Sequence, residues 1–265
     1  MVAILILLIV AIFPVYLIGL FLYKRDKDRE SGKLLSKLFF GGFLSIVITL
    51  ILTKFFTILF PFLFAESSMS NLIGLAMYIF IGVALIEEFS KWIVNYKISY
   101  NNPEFHDLYD SILYATFVAL GFACFENILY VFQNGIITGL MRAVTAVPGH
   151  VFDGVFLGYY LGLAKINSVN SRKDHVKKNL IFSLLIPTIT HGLYDYLLYS
   201  FVLTKNLLFI LLALIFVILL YIYCIKRIFK VSKLTGSFNK QKICSNCKTQ
   251  IDENAIFCTK CGFKQ

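Results

Sequence analysis

Four short groups of ionisable residues stand inside otherwise apolar stretches of this chain. The first is Ile86-Glu87-Glu88-Phe89-Ser90-Lys91, where Glu87 and Lys91 are spaced i,i+4 and Glu88 and Lys91 i,i+3, on one face of a helix. The second is Phe125-Glu126-Asn127, an acceptor beside an amide that both donates and accepts. The third is Pro148-Gly149-His150-Val151-Phe152-Asp153, and the fourth Thr190-His191-Gly192-Leu193-Tyr194-Asp195, with His191 and Asp195 again i,i+4. An aspartate beside a histidine fixes the tautomer and raises the basicity of the ring, whether the ring carries protons or binds a metal. Carboxylates and imidazoles brought together can activate water. One carboxylate takes the proton, and a His or Asn steadies the oxyanion at an attacked carbonyl. The same donors can instead hold a divalent metal that makes water more acidic.

Each group also has a bland reading. Glu87, Glu88 and Lys91 can mark a helix end reaching water, and Glu126-Asn127 an interhelical hydrogen bond. A single buried histidine can be structural. Two histidines on different helices, joined by three acidic positions, favour a site. No serine elbow, H-E-x-x-H or P-loop is present, which removes support for serine hydrolysis, zincin chemistry and ATP-driven transport.

The elements that must position these groups are membrane helices. The 265-residue chain is 58% hydrophobic and 16% aromatic, and only 15% charged, well below the roughly 25% of a soluble domain. Its apolar residues fall in blocks at about 1–23, 38–63, 72–94, 108–132, 143–166, 180–203 and 207–225. About 20 apolar residues of helix cross a bilayer. The expected fold is therefore an all-α polytopic membrane protein with about seven transmembrane helices over 1–230. A charge at the centre of such a helix costs roughly 2.5–3.5 kcal/mol on insertion scales, so each charged side chain should face the bundle interior and have a partner.

The net charge of +10 sits in short loops and reads as a topology signal facing the lipid bilayer, with no nucleic acid expected. Eighteen Lys and Arg lie in the segments 24–37, 95–107, 165–179 and 226–242, against Arg142 and Lys205 alone in the alternate loops. The rule places the first set in the cytoplasm, with the N-terminus outside and the C-terminus inside the cell membrane. Segment 1–23 has no basic leader or small-residue cleavage site and reads as a retained helix. Gly154, Gly158 and Gly162 form a small-residue face suited to helix packing. Cys124 and Cys224 read as buried apolar groups, and His106 and His175 as solvated loop residues.

Residues 242–265 differ in kind. They are polar and carry Cys244-x2-Cys247-x10-Cys258-x2-Cys261, two knuckles that present four thiolates to a structural Zn²⁺. A segment this short cannot bury a useful core, so the metal supplies its folding energy. With all four ligand positions filled by cysteine, the expected role is a ribbon that engages a cytoplasmic protein partner.

Taken in order, Glu87-Glu88-x-x-Lys91, Phe122-x-x-x-Glu126-Asn127, His150 and His191-Gly192-Leu193-Tyr194-Asp195 resemble the motifs of the PrsW intramembrane protease family. Gly158-Tyr159-Tyr160-Leu161-Gly162-Leu163-Ala164-Lys165 is similar as well, and the resemblance covers roughly 70–200. That family is related to the type II CAAX prenyl endopeptidases. The resemblance implies cleavage of a membrane-anchored protein, typically an anti-sigma factor. It also implies that Glu87, Glu88, Glu126, His150 and His191 are catalytic, with Asn127 supporting them. Lys91, Asp153 and Asp195 are supporting candidates from the residue reading, and Asp153 and the ribbon lie outside the family pattern. The mechanism is open between a glutamic type and one using a divalent metal at the intramembrane site. A non-catalytic scaffold or sensor and a proton-coupled transporter are the alternatives. The span boundaries put Glu87 near one membrane face and Glu126 and His150 near the other, so a shared site requires tilted helices, a shifted third span or a wet cavity.

Overall fold

The structure, a computed structural model, describes residues 2–234, 241–252, 257–258 and 260–264. Residues 235–240, which separate the two units read from the sequence, and residues 253–256 within the second, lie outside the described residues. Backbone groups in lipid must be satisfied within their own segment, and long Leu/Ile/Phe runs do this as helices. The helices are α1 (Val2–Arg25), α2 (Gly32–Leu59), the short α3 (Pro61–Phe64), α4 (Leu72–Met77), α5 (Leu85–Ser99), α6 (Leu108–Val144), α7 (Ala146–Val169), α8 (Lys173–Thr204) and α9 (Leu207–Val231). A π-helical segment, Tyr78–Ala84, joins α4 to α5 without a break. Ser31 caps α2, Asn206 caps α9, and Asp107 and Asp110 form a capping box on α6. Between α1 and α2, burial pushes the carboxyls of Asp26 and Glu30 up, Glu30 to about 7.

Among the described residues, six helical stretches are long and apolar enough to cross a membrane. The longest, Leu108–Val169, spans 62 residues and folds back on itself. It thus supplies two passes, and seven passes result. The turn lies at Gly135, whose φ of 83° is left-handed and open to glycine at little cost. Val131 and Gly139, equidistant from it, meet across the hairpin: a Cβ on Gly139 would lie 2.7 Å from Val131 Cγ2. Beyond a kink at Thr145 (φ −120°, ψ −77°) the returning arm continues as α7. Gly154 packs on Thr116 and Ala119, Gly158 on Ser111 and Ile112, and Gly162 on Leu108 and Ser111. The expected glycine face therefore seats α7 against α6.

This hairpin is the core. The most apolar window of Leu108–Val169 is 72% buried, against 11% for those of α1, α2 and α9. Helices α1 and α2 pack on α6, α8 on α7, α9 on α8, and α5 between α2 and α8. Leu50, Ile51 and Ile58 of α2 and Leu211, Leu214 and Ile218 of α9 stay exposed, as a lipid-facing surface requires. At the α2–α6 crossing the backbones touch. A Cβ on Gly121 would fall 1.9 Å from Phe39 O, and one on Gly42 2.2 Å from Val118 O. Gly121→Ala is expected to destabilise the bundle by about 1–3 kcal/mol through overpacking. Gly149→Ala, where a Cβ meets nothing within 4 Å, should not destabilise it. Thermal unfolding in detergent compares the two, and equal midpoints would exclude the backbone contact.

Two boundaries depart from the sequence reading, and both matter for the site. The third pass runs on to Ser99 instead of ending near 94, so Glu87 and Glu88 sit near its middle. Arg142 is not an outer-loop residue but the seventh residue of the returning arm, because the chain turns at Gly135 and not after Arg142.

In the tail, β1 (Gln241–Ile243) pairs antiparallel with β2 (Gln250–Asp252). Each knuckle closes by backbone hydrogen bonds, Lys248 N to Cys244 O at 3.0 Å and Gly262 N to Cys258 O at 2.8 Å. The Sγ atoms of Cys244 and Cys261, and of Cys247 and Cys258, lie 3.6 Å apart. That is close to the edge of about 3.8 Å expected for a tetrahedron with Zn–S bonds of about 2.3 Å.

Candidate active site in the membrane

The π-helical segment widens the helix just before the first acidic pair, a distortion common at functional sites. Its Phe80 packs directly on Gly192, where a Cβ would lie 2.5 Å from Phe80 Cδ1. This contact brings α8 close to α5 at the level of His191. Glu88 Oε1 then meets His191 Nδ1 at 2.7 Å and Lys91 Nζ at 2.5 Å. Lys91 Nζ in turn lies 3.2 Å from His150 Nδ1 on α7 and 4.4 Å from the Phe122 ring centroid. The two imidazole rings stand 5.4 Å apart, nearly perpendicular. Glu88 is 1% exposed and Lys91 2%.

The opposite nitrogens of both rings face acids. His150 Nε2 lies 2.9 Å from Glu126 Oε2. His191 Nε2 lies 3.4 Å from Asp195 Oδ2 and 3.8 Å from Glu87 Oε2. Glu87 Oε2 is buried and has no hydrogen-bond partner. Asp153 accepts from Thr190 Oγ1 at 2.5 Å and joins Glu88, His150 and His191 in a set of four buried donors, all within 4.8 Å of one another. Glu87, Glu88, Lys91, Glu126, His150, Asp153, His191 and Asp195 thus form one cluster. Asn127 lies at its edge, donating to Ala11 O at 2.9 Å and accepting from Arg142 Nε at 3.0 Å, so it ties α1 to the hairpin.

Arg142 escaped the sequence reading. Its Nη2 donates to Glu126 Oε2 at 2.5 Å and its guanidinium stacks on Tyr130, 4.1 Å from the ring centroid. The available signal was a lone arginine between Leu140-Met141 and Ala143-Val144, obscured by its nearness to the turn. Thr190, which holds Asp153, carried no signal of its own.

The donor set fits a divalent metal. Five carboxylates (Glu87, Glu88, Glu126, Asp153 and Asp195) face two fixed cations, Lys91 and Arg142. Buried excess negative charge of this kind is offset by protonation or by a bound cation, and the latter suits this donor set. Two imidazoles and two carboxylates suit zinc or a similar transition ion.

Seven membrane passes around a buried acid–imidazole cluster that can hold a metal and activate water define a membrane-embedded hydrolase. The sequence profile of the PrsW family intramembrane metalloproteases matches residues 30–223, and a zinc-ribbon domain profile matches 243–265. The chain belongs to the PrsW family. It is 36% identical over 181 residues to the protease PrsW of Oceanobacillus iheyensis, covering 68% of this chain and 77% of that one. It is 31% identical to the protease PrsW of Bacillus subtilis over 185 residues, covering 69% and 77%. With the protease PrsW of Shouchella clausii it shares 29% identity over 231 residues, covering 86% and 98%. No protein of solved structure matches it. The chain is accordingly a multi-pass membrane protein and an intramembrane peptide hydrolase acting on a membrane protein, and its tail is a zinc ribbon.

Proposed function

We propose that the chain cuts a single-span, anti-sigma-factor-like protein, using Glu87 as the proton acceptor for the attacking water. The observation that carries this reading is the Glu87 carboxylate: Oε2 is buried beside His191 and Lys91 yet takes no hydrogen bond. Glu88, His150, Asp153 and His191 are the residues that would hold a divalent ion. When bound, that ion supplies a Lewis acid for the scissile carbonyl and lowers the pKa of water. Glu126 orients His150 and Asp195 orients His191, each through the ring nitrogen turned away from Lys91 or Glu88. Thr190 fixes Asp153, and Lys91 holds the Glu88 carboxylate aimed inward. Asn127 acts as a positioning residue through Arg142.

The unit 1–230 carries the activity, with its protease-like core at about 70–203, and 242–265 forms a separate ribbon that recruits a cytoplasmic protein. The N-terminus lies outside the cell membrane and the C-terminus inside. The charge asymmetry that supports this orientation is sharper once Arg142 is taken out of the loops, leaving Lys205 alone on the outer side.

The test is cleavage of a doubly tagged single-span anti-sigma-factor-like protein in proteoliposomes, with fragments identified by mass spectrometry. The parent chain should release two membrane-derived fragments. Replacing Cys244, Cys247, Cys258 and Cys261 by Ser should leave that cleavage in place. Glu87→Gln should reduce it by about 10²–10⁴-fold, the contribution of a positioned general base. Undiminished turnover in Glu87→Gln would remove Glu87 from the reaction.

A further inference from the structure

A second group of acids lies away from the active site. Of the 15 Asp and Glu residues, six fall in two short stretches: Asp26, Asp28 and Glu30 after α1, and Glu104, Asp107 and Asp110 around the start of α6. The two stretches are pinned together, because Ser31 donates to Glu104 through both its backbone N and its Oγ, each at 3.0 Å. Among the described residues, no Lys, Arg or His nitrogen lies within 4.0 Å of any of these six carboxylates. The neighbouring cations point elsewhere: Arg25 stacks on Phe21 and Phe229, and Lys27 donates to Lys233 O.

Three of the six carboxylates, Asp26, Glu30 and Asp110, are buried, and none of them has a cationic partner among the described residues. Glu30 is 5% exposed and Asp110 2%. Asp110 Oδ2 accepts from the backbone N of His106 at 2.7 Å and of Asp107 at 2.8 Å. Glu30 Oε2 is buried and has no hydrogen-bond partner. His106, exposed at the rim, brings a ring nitrogen to the same place, and the three residues offer ligand atoms within 4.8 Å of one another. We propose that Glu30, Asp110 and His106 form a second divalent-cation site that clamps the loop after α1 to the start of α6. One imidazole with two carboxylates suits a first-row transition ion such as Zn²⁺, or Mn²⁺, better than Mg²⁺ or Ca²⁺, which prefer oxygen alone. The exposed His106 gives the ion a way in from water.

Mn²⁺ is the probe, because the four soft thiolates of the ribbon do not compete for it. The full chain in detergent, with its ribbon loaded with zinc, is titrated while the electron paramagnetic resonance signal of free Mn²⁺ is followed. The parent chain should bind one equivalent that Glu30→Gln and His106→Ala bind at least tenfold more weakly. His191→Ala, which disturbs only the intramembrane cluster, should keep that equivalent. Mn²⁺ should also raise the unfolding midpoint of the parent chain and not that of the two loop variants. Since His106 is exposed, its removal leaves the fold intact and the comparison valid. The proposal is overturned if the parent chain binds no such equivalent. It is overturned equally if both loop variants bind as the parent does, or if the equivalent disappears with His191 alone. The first outcome would leave a shared proton as the group that reconciles Glu30 with Asp110.

Discussion

A His191→Ala chain is expected to lose cleavage by about 10³-fold or more, together with its intramembrane metal. The ring is the single group that touches three acids, with Glu88 at 2.7 Å, Asp195 at 3.4 Å and Glu87 at 3.8 Å. Without it, the donor set falls from four to three, the carboxylates of Glu87 and Glu88 keep only Lys91 as a neighbouring cation, and Asp195 loses its partner. The rate loss combines a metal ligand with the electrostatic partner of the proton acceptor, each of which acts on the reacting centre. Removing one member of a buried charged network also destabilises it, by roughly 3–5 kcal/mol, so the unfolding midpoint should drop as well. Asp195→Asn separates the two effects. It keeps the side-chain shape and the four metal donors, and should cost only about 10–100-fold, the usual weight of a residue that orients a ligand. The measurements are fragment yield in proteoliposomes and metal content after the ribbon cysteines have been replaced. A His191→Ala chain that cleaves within tenfold of its parent would remove the imidazole from the site's chemistry.

Arg142→Gln should be the most damaging change at a residue that touches none of the four metal donors. The guanidinium holds Glu126 at 2.5 Å and Asn127 at 3.0 Å, and Glu126 in turn holds His150 at 2.9 Å. Removing it leaves the Glu126 carboxylate in a largely buried place facing only an imidazole. The expected cost is about 3 kcal/mol of stability, the lower end for an orphaned buried charge because both side chains retain some water contact. Activity should fall about 10–100-fold, since His150 loses its fixed orientation. Glu126→Gln with Arg142→Gln should recover most of the stability, because no charge is left unpaired, while activity stays low. Arg142→Lys should recover the charge but not the two-pronged contact to Glu126 and Asn127. A double-mutant cycle on melting midpoints and cleavage rates reads the coupling. Strict additivity of the two single changes would show that the ion pair does not organise the site.

The seven passes were legible because a run of about 20 apolar residues is a local property, and a bilayer leaves such a run little choice but helix. The zinc knuckles were legible for a similar reason: Cys-x2-Cys brings two thiolates together over a few residues without help from the rest of the fold. The partners of each ionisable group were less visible. His106 reads as a solvated loop histidine from its neighbours in sequence, yet Glu30, 76 positions earlier, shares its corner. Asp153 fell outside the recognised motif, and only the approach of Thr190 and His191 on another helix shows what surrounds it. Arg142 reads as a loop residue in the sequence because polar residues near a turn look alike. The left-handed backbone at Gly135 places the turn seven residues earlier and carries Arg142 down to Glu126.

By itself, then, the order of residues determined that the chain lies in a membrane, which side chains are too polar to face lipid, and that a metal-bound ribbon follows. It also put those side chains on successive helices in the order of the PrsW motifs. The tertiary structure decided their depth and their partners. The continuous third pass brings Glu87 and Glu88 to mid-helix. The glycine contacts at 42 with 121, and at 154, 158 and 162, set how closely and at what rotation the helices meet. Hydrophobicity acts along each segment and commits it to helix, whereas the meeting of His150, His191 and their acids depends on backbone-to-backbone fit between segments far apart in the chain.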